Sequence, residues 1–383
     1  MRIAYVCTDP GIPVFGNKGA SIHVQEILRA FLALGADVSL ISPRLHDPAP
    51  GDLAPVRRVG LPALPKEAPA RRERRLLDLN DSITVALDDL GPLDLVYERH
   101  ALFAHAAMEW AARNGAPGVL EVNAPLIAEQ KRHRALALPA IAEASARRSI
   151  RAAAVVSAVS PEVARYAADF GASNVHVLPN AVNPARFPLR PAPDGPFTIG
   201  FLGTLKPWHD MATLIDAFAR LRAGSFPDAR LLIVGDGPER PAWEAQLQAR
   251  GLAQAAHFTG AVAAADVPTH LARMHAAVAP YASRQEFYFS PLKVYEYMAA
   301  GLPVVASHVG HLAQVVSEGR TGLLCPPDDP AALAAALMHL AADPDLCARL
   351  GGAARAEVLA NCTWEGVARH VLIHAGLAPR DAA

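Results

Sequence analysis

Cysteine is scarce in this chain. Its four cysteines, Cys7, Cys325, Cys347 and Cys362, stand far apart, and no pair has the Cys-x-x-Cys spacing of a zinc or redox site. The sequence therefore predicts neither a disulfide framework nor a zinc framework. It favours a reducing, cytoplasmic location.

Net charge and long apolar runs are lacking as well. The chain carries 36 Lys and Arg against 37 Asp and Glu, which leaves no basic footprint for nucleic acid. No uncharged apolar run reaches the roughly 18 residues that a membrane-spanning helix needs. The apolar run at residues 3–7 is too short for the core of a signal peptide and predicts a buried strand instead.

The length of 383 residues exceeds what one ordinary core organises, so we expect two domains of roughly 180 residues. Short apolar runs alternate with amphipathic helical patterns in both halves, which predicts two doubly wound, parallel-sheet α/β (Rossmann-like) domains. The segment 188–196 holds four prolines and little to bury, which is typical of a linker. The predicted domains are residues 1–187 and 196–363.

A glycine-bearing loop follows the first predicted strand. Gly16 and Gly19 lie just before a predicted helix from about Ser21. Such a loop lets backbone N–H groups approach a diphosphate, although the spacing is not Gly-x-Gly-x-x-Gly and a flexible surface loop is the alternative.

Polar side chains stand at the carboxyl ends of two later predicted strands in the first half. Arg99 and His100 end the run at 94–100, and Asn123 ends the run at 117–123. Because ligands bind at the carboxyl ends of parallel strands, we expect these side chains to face a substrate. A separate cluster of four arginines at residues 71–75 opens a helix, where either anionic lipid headgroups or solvent would satisfy the charge.

Residues 280–307 hold the highest density of candidate functional side chains in the sequence. Ser290-Pro291 predicts a helix start with a serine cap, and Gly301 predicts a left-handed helix end. The start of that helix is a ready phosphate site. Lys293 and Glu296 share one face, a cation for phosphate and a carboxylate for a ribose diol, although a solvated surface pair has the same spacing.

The run from Glu286 to Val305 resembles the nucleotide-sugar motif of glycosyltransferase family 4, which has the GT-B fold: a Glu, seven residues and a second Glu, then an Ala-Met-Ala-x-Gly-x-Pro-Val-Val type of run. The second Glu matches Glu296, which the resemblance implies holds the donor ribose. The first Glu, which helps to place the donor sugar, falls at Tyr288, so either Glu286 or Tyr288 takes that role. The Ser-Pro-Leu-Lys run at 290–293 resembles a subgroup with this variant.

The resemblance extends to the start of the second domain and departs from the family there. The family places an Arg directly after the Gly203 position and a Lys about five residues later, whereas this chain has Thr204 and His209. Lys206 is then the expected cation for the leaving diphosphate. In the first domain, the family often has a His near the acceptor at the position of Asn123. A final helix at about 364–383 is expected to cross back onto the first domain, with a cleft between the two.

The resemblance implies a retaining glycosyltransferase that moves a sugar from a nucleotide-diphosphate sugar to an acceptor hydroxyl, in glycan, polysaccharide or glycolipid synthesis. No cofactor and no metal are expected, since the sequence has no Asp-x-Asp-like or His cluster. Fixed cations and helix amides would stabilise the departing diphosphate. A GT-B nucleotide-sugar epimerase and a non-catalytic sugar-nucleotide-binding protein are alternatives.

The expected partners are a nucleotide-sugar donor and a glycan or lipid-linked acceptor, with a peripheral contact at the inner face of a membrane left open. The predicted site residues fall into three groups. The catalytic candidates are Lys206, Glu286 and Lys293; the donor-binding candidates are Gly16, Gly19, Gly203, Thr204, His209, Gly235, Tyr288, Ser290, Pro291, Leu292 and Glu296; the acceptor-side candidates are Arg99, His100 and Asn123.

Overall fold

A computed structural model describes residues 1–45, 48–189, 191, 193–283, 288 and 290–377. The chain divides into two compact units. The first comprises Met1–Asn180 and Trp364–Ala383, and the second comprises Ala181–Thr363.

The first unit is built on a parallel sheet of seven strands. Their bounds are β1 (Arg2–Cys7), β2 (Asp37–Ser42), β3 (Arg57–Gly60), β4 (Leu95–Arg99), β5 (Gly118–Val122), β6 (Val155–Ala158) and β7 (Val175–Val177). They lie in the order β3-β2-β1-β4-β5-β6-β7. Side chains of β1 from Ile3 to Cys7 are fully buried, as expected of a strand covered by helices on both faces.

All helices of this unit except the last, which comes after the second unit in the chain, lie between consecutive strands of the parallel sheet. Within the described residues they are α1 (Gly19–Ala33), α2 (Pro69–Leu90), α3 (Ala106–Asn114), α4 (Leu126–His133), α5 (Pro139–Ala152), α6 (Pro161–Asp169) and α14 (Trp364–His374). Residues 126–151 have a helical pattern throughout in the sequence. The structure has two helices there, because Pro139 suits a helix start but not a helix interior.

The second unit has a parallel sheet of six strands. They are β8 (Thr198–Leu202), β9 (Arg230–Val234), β10 (Ala256–Phe258), β11 (Ala276–Ala279), β12 (Val304–Ser307) and β13 (Gly322–Cys325). Their order is β10-β9-β8-β11-β12-β13. The chain order therefore reverses between β8 and β11, the switch point where ligands bind in such sheets.

The helices of the second unit cover both faces of its sheet. They are α7 (Met211–Ala223), α8 (Arg240–Ala249), α9 (Val267–Leu271), α10 (Leu292–Ala299), α11 (Leu312–Val315), α12 (Pro330–Ala342) and α13 (Pro344–Asn361) among the described residues. The prediction of two parallel-sheet α/β domains is confirmed.

Helix length and apolar composition decide whether a helix of this chain can span a membrane. In the described part of the chain, no single helix is long and apolar enough to cross a bilayer. By those measures alone, α12 and α13 taken together would qualify, with a bend of 104° between them.

Candidate functional site

Two glycines bring the ends of β8 and β9 into contact in the second unit. The amide of Gly203 donates to the carbonyl of Val234 at 2.9 Å. Both Gly203 and Gly235 have positive φ, +144° and +134°. A Cβ at Gly235 would overlap the carbonyl oxygen of Gly203, so no other residue fits there without moving the loop.

Lys293, in the first turn of α10, reaches the space beside Gly203. Its Nζ lies 2.8 Å from Nε2 of His209, 4.2 Å from the ring centroid of Phe201 and 5.6 Å from that of Tyr281. A Cβ added to Gly203 would come within 3.1 Å of this Nζ. We call these five residues the Lys293 cluster. It brings together three sequence-predicted candidates, Gly203, His209 and Lys293.

The electrostatics of this cluster are unusual for a lysine. Lys293 is half-buried, and burial of its ammonium lowers the pKa of Lys293 to about 7 against the opposing effect of the Glu296 carboxylate. Burial, and then the nearby Lys293 charge, lowers the pKa of His209 to about 2. His209 is therefore neutral, and its Nε2 accepts from Lys293. None of the five residues is an anion, so the charge that Lys293 carries when it is protonated is opposed from outside the cluster, by Glu296 one turn further along α10.

The start of α10 differs from the prediction in detail. The helix begins at Leu292, with Pro291 at its N-cap position and no side-chain cap bond. The predicted serine cap is wrong, since the buried Ser290 hydroxyl lies 3.5 Å from the hydroxyl of Tyr295. The predicted left-handed end at Gly301 is confirmed by its φ of +75°.

Glu296 lies one turn after Lys293 on α10, and its Oε1 is 3.8 Å from Nη1 of Arg186. Tyr288 is half-buried. Glu286 lies outside the described residues.

Two further candidates lie on the loop after β8. Thr204 is exposed and Lys206 is half-buried. The Nζ of Lys206 lies 5.7 Å from the ring centroid of Trp208, a side chain that is 37% exposed. The structure therefore gives Lys206 a solvent-facing aromatic neighbour and gives Lys293 the position beside Gly203.

In the first unit, Glu121 brings together polar side chains from three elements. Its Oε1 accepts from Asn123 Nδ2 at 2.5 Å and from Arg99 Nη1 at 3.0 Å, and its Oε2 accepts from the Tyr97 hydroxyl at 2.9 Å. The Nε2 of His23, from α1, lies 2.5 Å from Oε1. We call these five residues the Glu121 cluster. It places the predicted Arg99 and Asn123 together at the carboxyl ends of β4 and β5.

The Glu121 cluster balances its own charge. Burial alone would raise the pKa of Glu121, but the contacts with His23 and Arg99 lower it to about 2. Burial lowers the pKa of His23, and its contact with Glu121 opposes that shift. The ionised Glu121 has a full cation, Arg99, at 3.0 Å within the same cluster.

The remaining first-unit candidates stand apart from this cluster. The carbonyl of Gly16 accepts from Gln25 Nε2 at 2.9 Å, and Gly19 begins α1. His100 is 5% exposed, burial lowers its pKa to about 4, and neither ring nitrogen has a hydrogen-bond partner in the described residues.

Sequence reasoning missed Glu121 and Arg186 as site residues. Glu121 sits two residues before Asn123 at a strand end, a position where polar groups face ligands, and that signal was available. Arg186 stands directly before Phe187, at the entry to the predicted linker, where nothing in the spacing suggested a carboxylate partner. Over the described residues, no group of three or more His, Cys, Asp or Glu side chains is placed to hold a metal ion.

Solved structures that resemble this chain define its fold class. The two parallel sheets and the solved structures that align with the chain support a GT-B fold. Sucrose-phosphate synthase from Thermosynechococcus elongatus is one such structure, with a TM-score of 0.73, 21% identity and 97% of each chain covered.

The family follows from two sequence matches. Residues 17–186 match the model described as Glycosyltransferase Family 4, and residues 196–343 match Glycosyl transferases group 1. Together these matches support the assignment of the chain to glycosyltransferase family 4.

Two characterised relatives match part of the chain. Glycogen synthase of Mycobacterium tuberculosis is 31% identical over 202 residues, covering 52% of this chain and 47% of that protein. Phosphatidyl-myo-inositol mannosyltransferase of Mycolicibacterium smegmatis is 34% identical over 221 residues, covering 56% of this chain and 55% of that protein. The chain thus spans about half the length of each.

Proposed function

We propose that this chain is a retaining glycosyltransferase that transfers a hexose from a nucleotide-diphosphate sugar to an acceptor hydroxyl. The observation that carries the proposal is the Lys293 cluster: a lysine held beside Gly203, 2.8 Å from a neutral His209, with Glu296 one turn further along α10. A cation lacking an anion in its own cluster, next to a carboxylate suited to a diol, matches the two ends of a nucleoside diphosphate. The glycosyltransferase family matches and relatives agree with this chemistry.

The chemical task is to stabilise charge that develops on the departing diphosphate. Lys293 is fixed by His209 and by the Phe201 ring before substrate arrives, so little reorganisation is needed during the reaction. The amides at the start of α10 offer a second source of stabilisation for a phosphate, because the first N–H groups of a helix have no partner within it. This arrangement needs no metal ion and no cofactor.

The acceptor is assigned to the first unit. Arg99 and Asn123 lie together at strand ends and are held by Glu121, so their polar groups are preset for a hydroxyl-bearing ligand. A glycan or a lipid-linked glycan fits that description. Retention of configuration at the transferred sugar rests on the family resemblance alone, and the anomeric proton coupling of the product tests it.

The experiment is a screen of the purified chain against UDP, GDP and ADP and their hexose derivatives, first by thermal shift and then by turnover with and without EDTA. Transfer to an acceptor, or hydrolysis of the donor, supports the transferase. A donor whose sugar is changed but still attached supports the epimerase. Tight binding with no turnover supports a non-catalytic protein. Turnover lost in EDTA and restored by magnesium or manganese would contradict metal independence.

We also propose a peripheral contact with anionic lipid at the inner face of the membrane. Arg71, Arg72, Arg74 and Arg75 open α2, and Lys131, Arg132 and Arg134 lie at the end of α4. Buried Glu73 connects these segments, because its carboxylate accepts from the backbone amides of Ala137 and Leu138 at 2.9 and 2.7 Å. Glu73 thereby ties the loop after α4 to the start of α2. Arg75 and Lys131 are paired with Glu67 and Glu143, and a basic charge held near an anionic surface contributes about 1 kcal/mol.

Vesicle sedimentation tests this contact. Vesicles with 30% phosphatidylserine should retain the chain at low salt, and pure phosphatidylcholine vesicles should not. The variant Arg71→Glu with Arg74→Glu should release it, whereas the variant Arg220→Glu with Arg222→Glu, on α7 of the other unit, should not. Equal retention on both kinds of vesicle would contradict the proposal.

A further inference from the structure

Arg186 lies at the start of the second unit, in a short 3-10 helix, Pro184–Arg186. Asn183 caps this turn, since its Oδ1 accepts from the amide of Ala185 at 3.1 Å. The guanidinium is held at two further points. Its Nη2 donates to the carbonyl of Ala264 at 2.8 Å, and its Cζ lies 5.3 Å from the ring centroid of the buried Phe187. Backbone and ring contacts therefore set the position of this charge.

The same guanidinium faces the carboxylate assigned to the ribose. Nη1 of Arg186 lies 3.8 Å from Oε1 of Glu296, and their side chains are only 20% and 18% exposed. A partly buried pair is screened less by water and salt than a surface pair. The attraction thus favours one orientation of Glu296 before any ligand is present.

The pair does not consume the acceptor capacity that a diol requires. A carboxylate offers about four acceptor sites on two oxygens. An arginine at ion-pair distance on one side is compatible with two hydroxyl donors on the other. A rotamer fixed in advance also spares the ligand the cost of immobilising a flexible side chain.

We infer that Arg186 is a positioning residue that orients the Glu296 carboxylate toward the ribose and so determines preference for ribonucleotides. This inference rests on the proposed function, since it assumes that a nucleoside diphosphate binds at α10. It assigns Arg186 no contact with phosphate or sugar. Its consequence is specific: loss of Arg186 weakens recognition of the ribose hydroxyls and leaves recognition of the diphosphate unchanged.

The experiment is calorimetric titration of the full chain with UDP, GDP and ADP, and then with the 2′,3′-dideoxy form of whichever binds. The parent should prefer the ribonucleotide by about 10-fold or more, the scale of a charge-assisted hydrogen bond. Arg186→Gln should reduce that preference by about threefold or more and leave dideoxynucleotide affinity within about twofold. Arg250→Gln, which removes a surface arginine paired with Asp216 in the same unit, is the matched control and should change neither.

A double-mutant cycle separates positioning from a structural role. If Arg186 acts through Glu296, Arg186→Gln should add little to the effect of Glu296→Gln. Arg186→Lys keeps the charge without the fork and should retain part of the preference. It also serves as the test variant if Arg186→Gln does not fold.

The outcomes distinguish the two proposals. An unchanged ribose preference in the Arg186 variants overturns the inference while nucleotide binding itself stands. An equal loss of ribo- and dideoxynucleotide affinity also overturns it, since that is expected of a direct phosphate contact or a structural anchor. If the parent binds none of the three diphosphates, the proposed function fails and the inference fails with it.

Discussion

The two units carry charged clusters at equivalent places, the carboxyl ends of parallel strands, but the clusters differ in how their charge is balanced. In the Glu121 cluster, an ionised carboxylate meets Arg99 at 3.0 Å and accepts three further contacts. In the Lys293 cluster, a lysine meets a neutral imidazole at 2.8 Å and two aromatic rings. The first cluster contains its own counter-charge, and the second does not.

This difference indicates that the two clusters have different roles. A buried charge with a full set of partners fixes geometry, and breaking it is costly because the partner is left behind. A lysine whose closest described contacts are a neutral imidazole and two aromatic rings is charged at a cost in folded-state stability, and it gains a partner when an anion arrives. We therefore expect loss of Glu121 to act mainly on folding and loss of Lys293 to act mainly on ligand binding and turnover.

Glu121→Ala should have the largest effect, a loss of about 3–5 kcal/mol in the free energy of unfolding, because Arg99 would stay buried without its carboxylate. Urea denaturation followed by circular dichroism measures it. Glu365→Ala, which removes an exposed partner of Arg369, is the control and should cost at most about 0.5 kcal/mol. Similar midpoints for the two variants would show that the Glu121 cluster does not stabilise the fold.

Lys293→Met should lower kcat for donor turnover by about 10²–10³, the scale of losing one preorganised charge partner. The fold should persist, because the methionine can still pack on Phe201 and Tyr281. Lys206→Met, on the loop after β8, makes the comparison decisive. If Lys206 carries the leaving-group charge, as its sequence position alone predicts, its variant will show the larger loss.

The fold follows from the sequence to a large extent. Alternating apolar runs and helical patterns are local signals, and they predict both parallel sheets. The ends of elements depend on tertiary contacts, which is why the serine cap predicted at Ser290 fails: its buried hydroxyl is near Tyr295 instead.

The site is less accessible from the sequence. Lys293 and Glu296 follow from helical spacing, but the contact between Lys293 and His209 joins residues 84 positions apart. The pair formed by Arg186 and Glu296 is also distant in sequence. Spacing along one element predicts which side chains share a face, whereas contacts between elements require the packed structure.

Glu296→Ala should weaken nucleoside diphosphate binding by about 1.5–3 kcal/mol, because the ribose hydroxyls lose a charged acceptor. Calorimetry with the diphosphate found in the screen measures it. Glu244→Ala, on α8 of the same unit, removes a half-exposed carboxylate paired with Arg240 and is the control. Unchanged affinity in Glu296→Ala would remove the ribose assignment and leave the cation argument intact.

The smallest expected effect is the pH dependence that Lys293 gives to folding stability and to diphosphate binding. Lysine in the unfolded chain has a pKa near 10.5, and Lys293 in the folded chain has a pKa of about 7. Between these values the unfolded state binds more protons, so this group makes the folded state less stable as pH falls from 10.5 to 7, with no further change below.

A bound diphosphate reverses the trend, since its charge raises the pKa of Lys293 again. Binding at pH 8 should then take up close to one proton, and affinity should fall about fivefold between pH 7 and pH 8. Titrations at pH 8 in two buffers of different ionisation enthalpy measure the uptake, and Lys293→Met corrects for ionisation of the nucleotide itself. Equal uptake in the parent and in Lys293→Met would mean that Lys293 does not change its protonation state when the anion binds, and the contrast between the two clusters would then reduce to geometry alone.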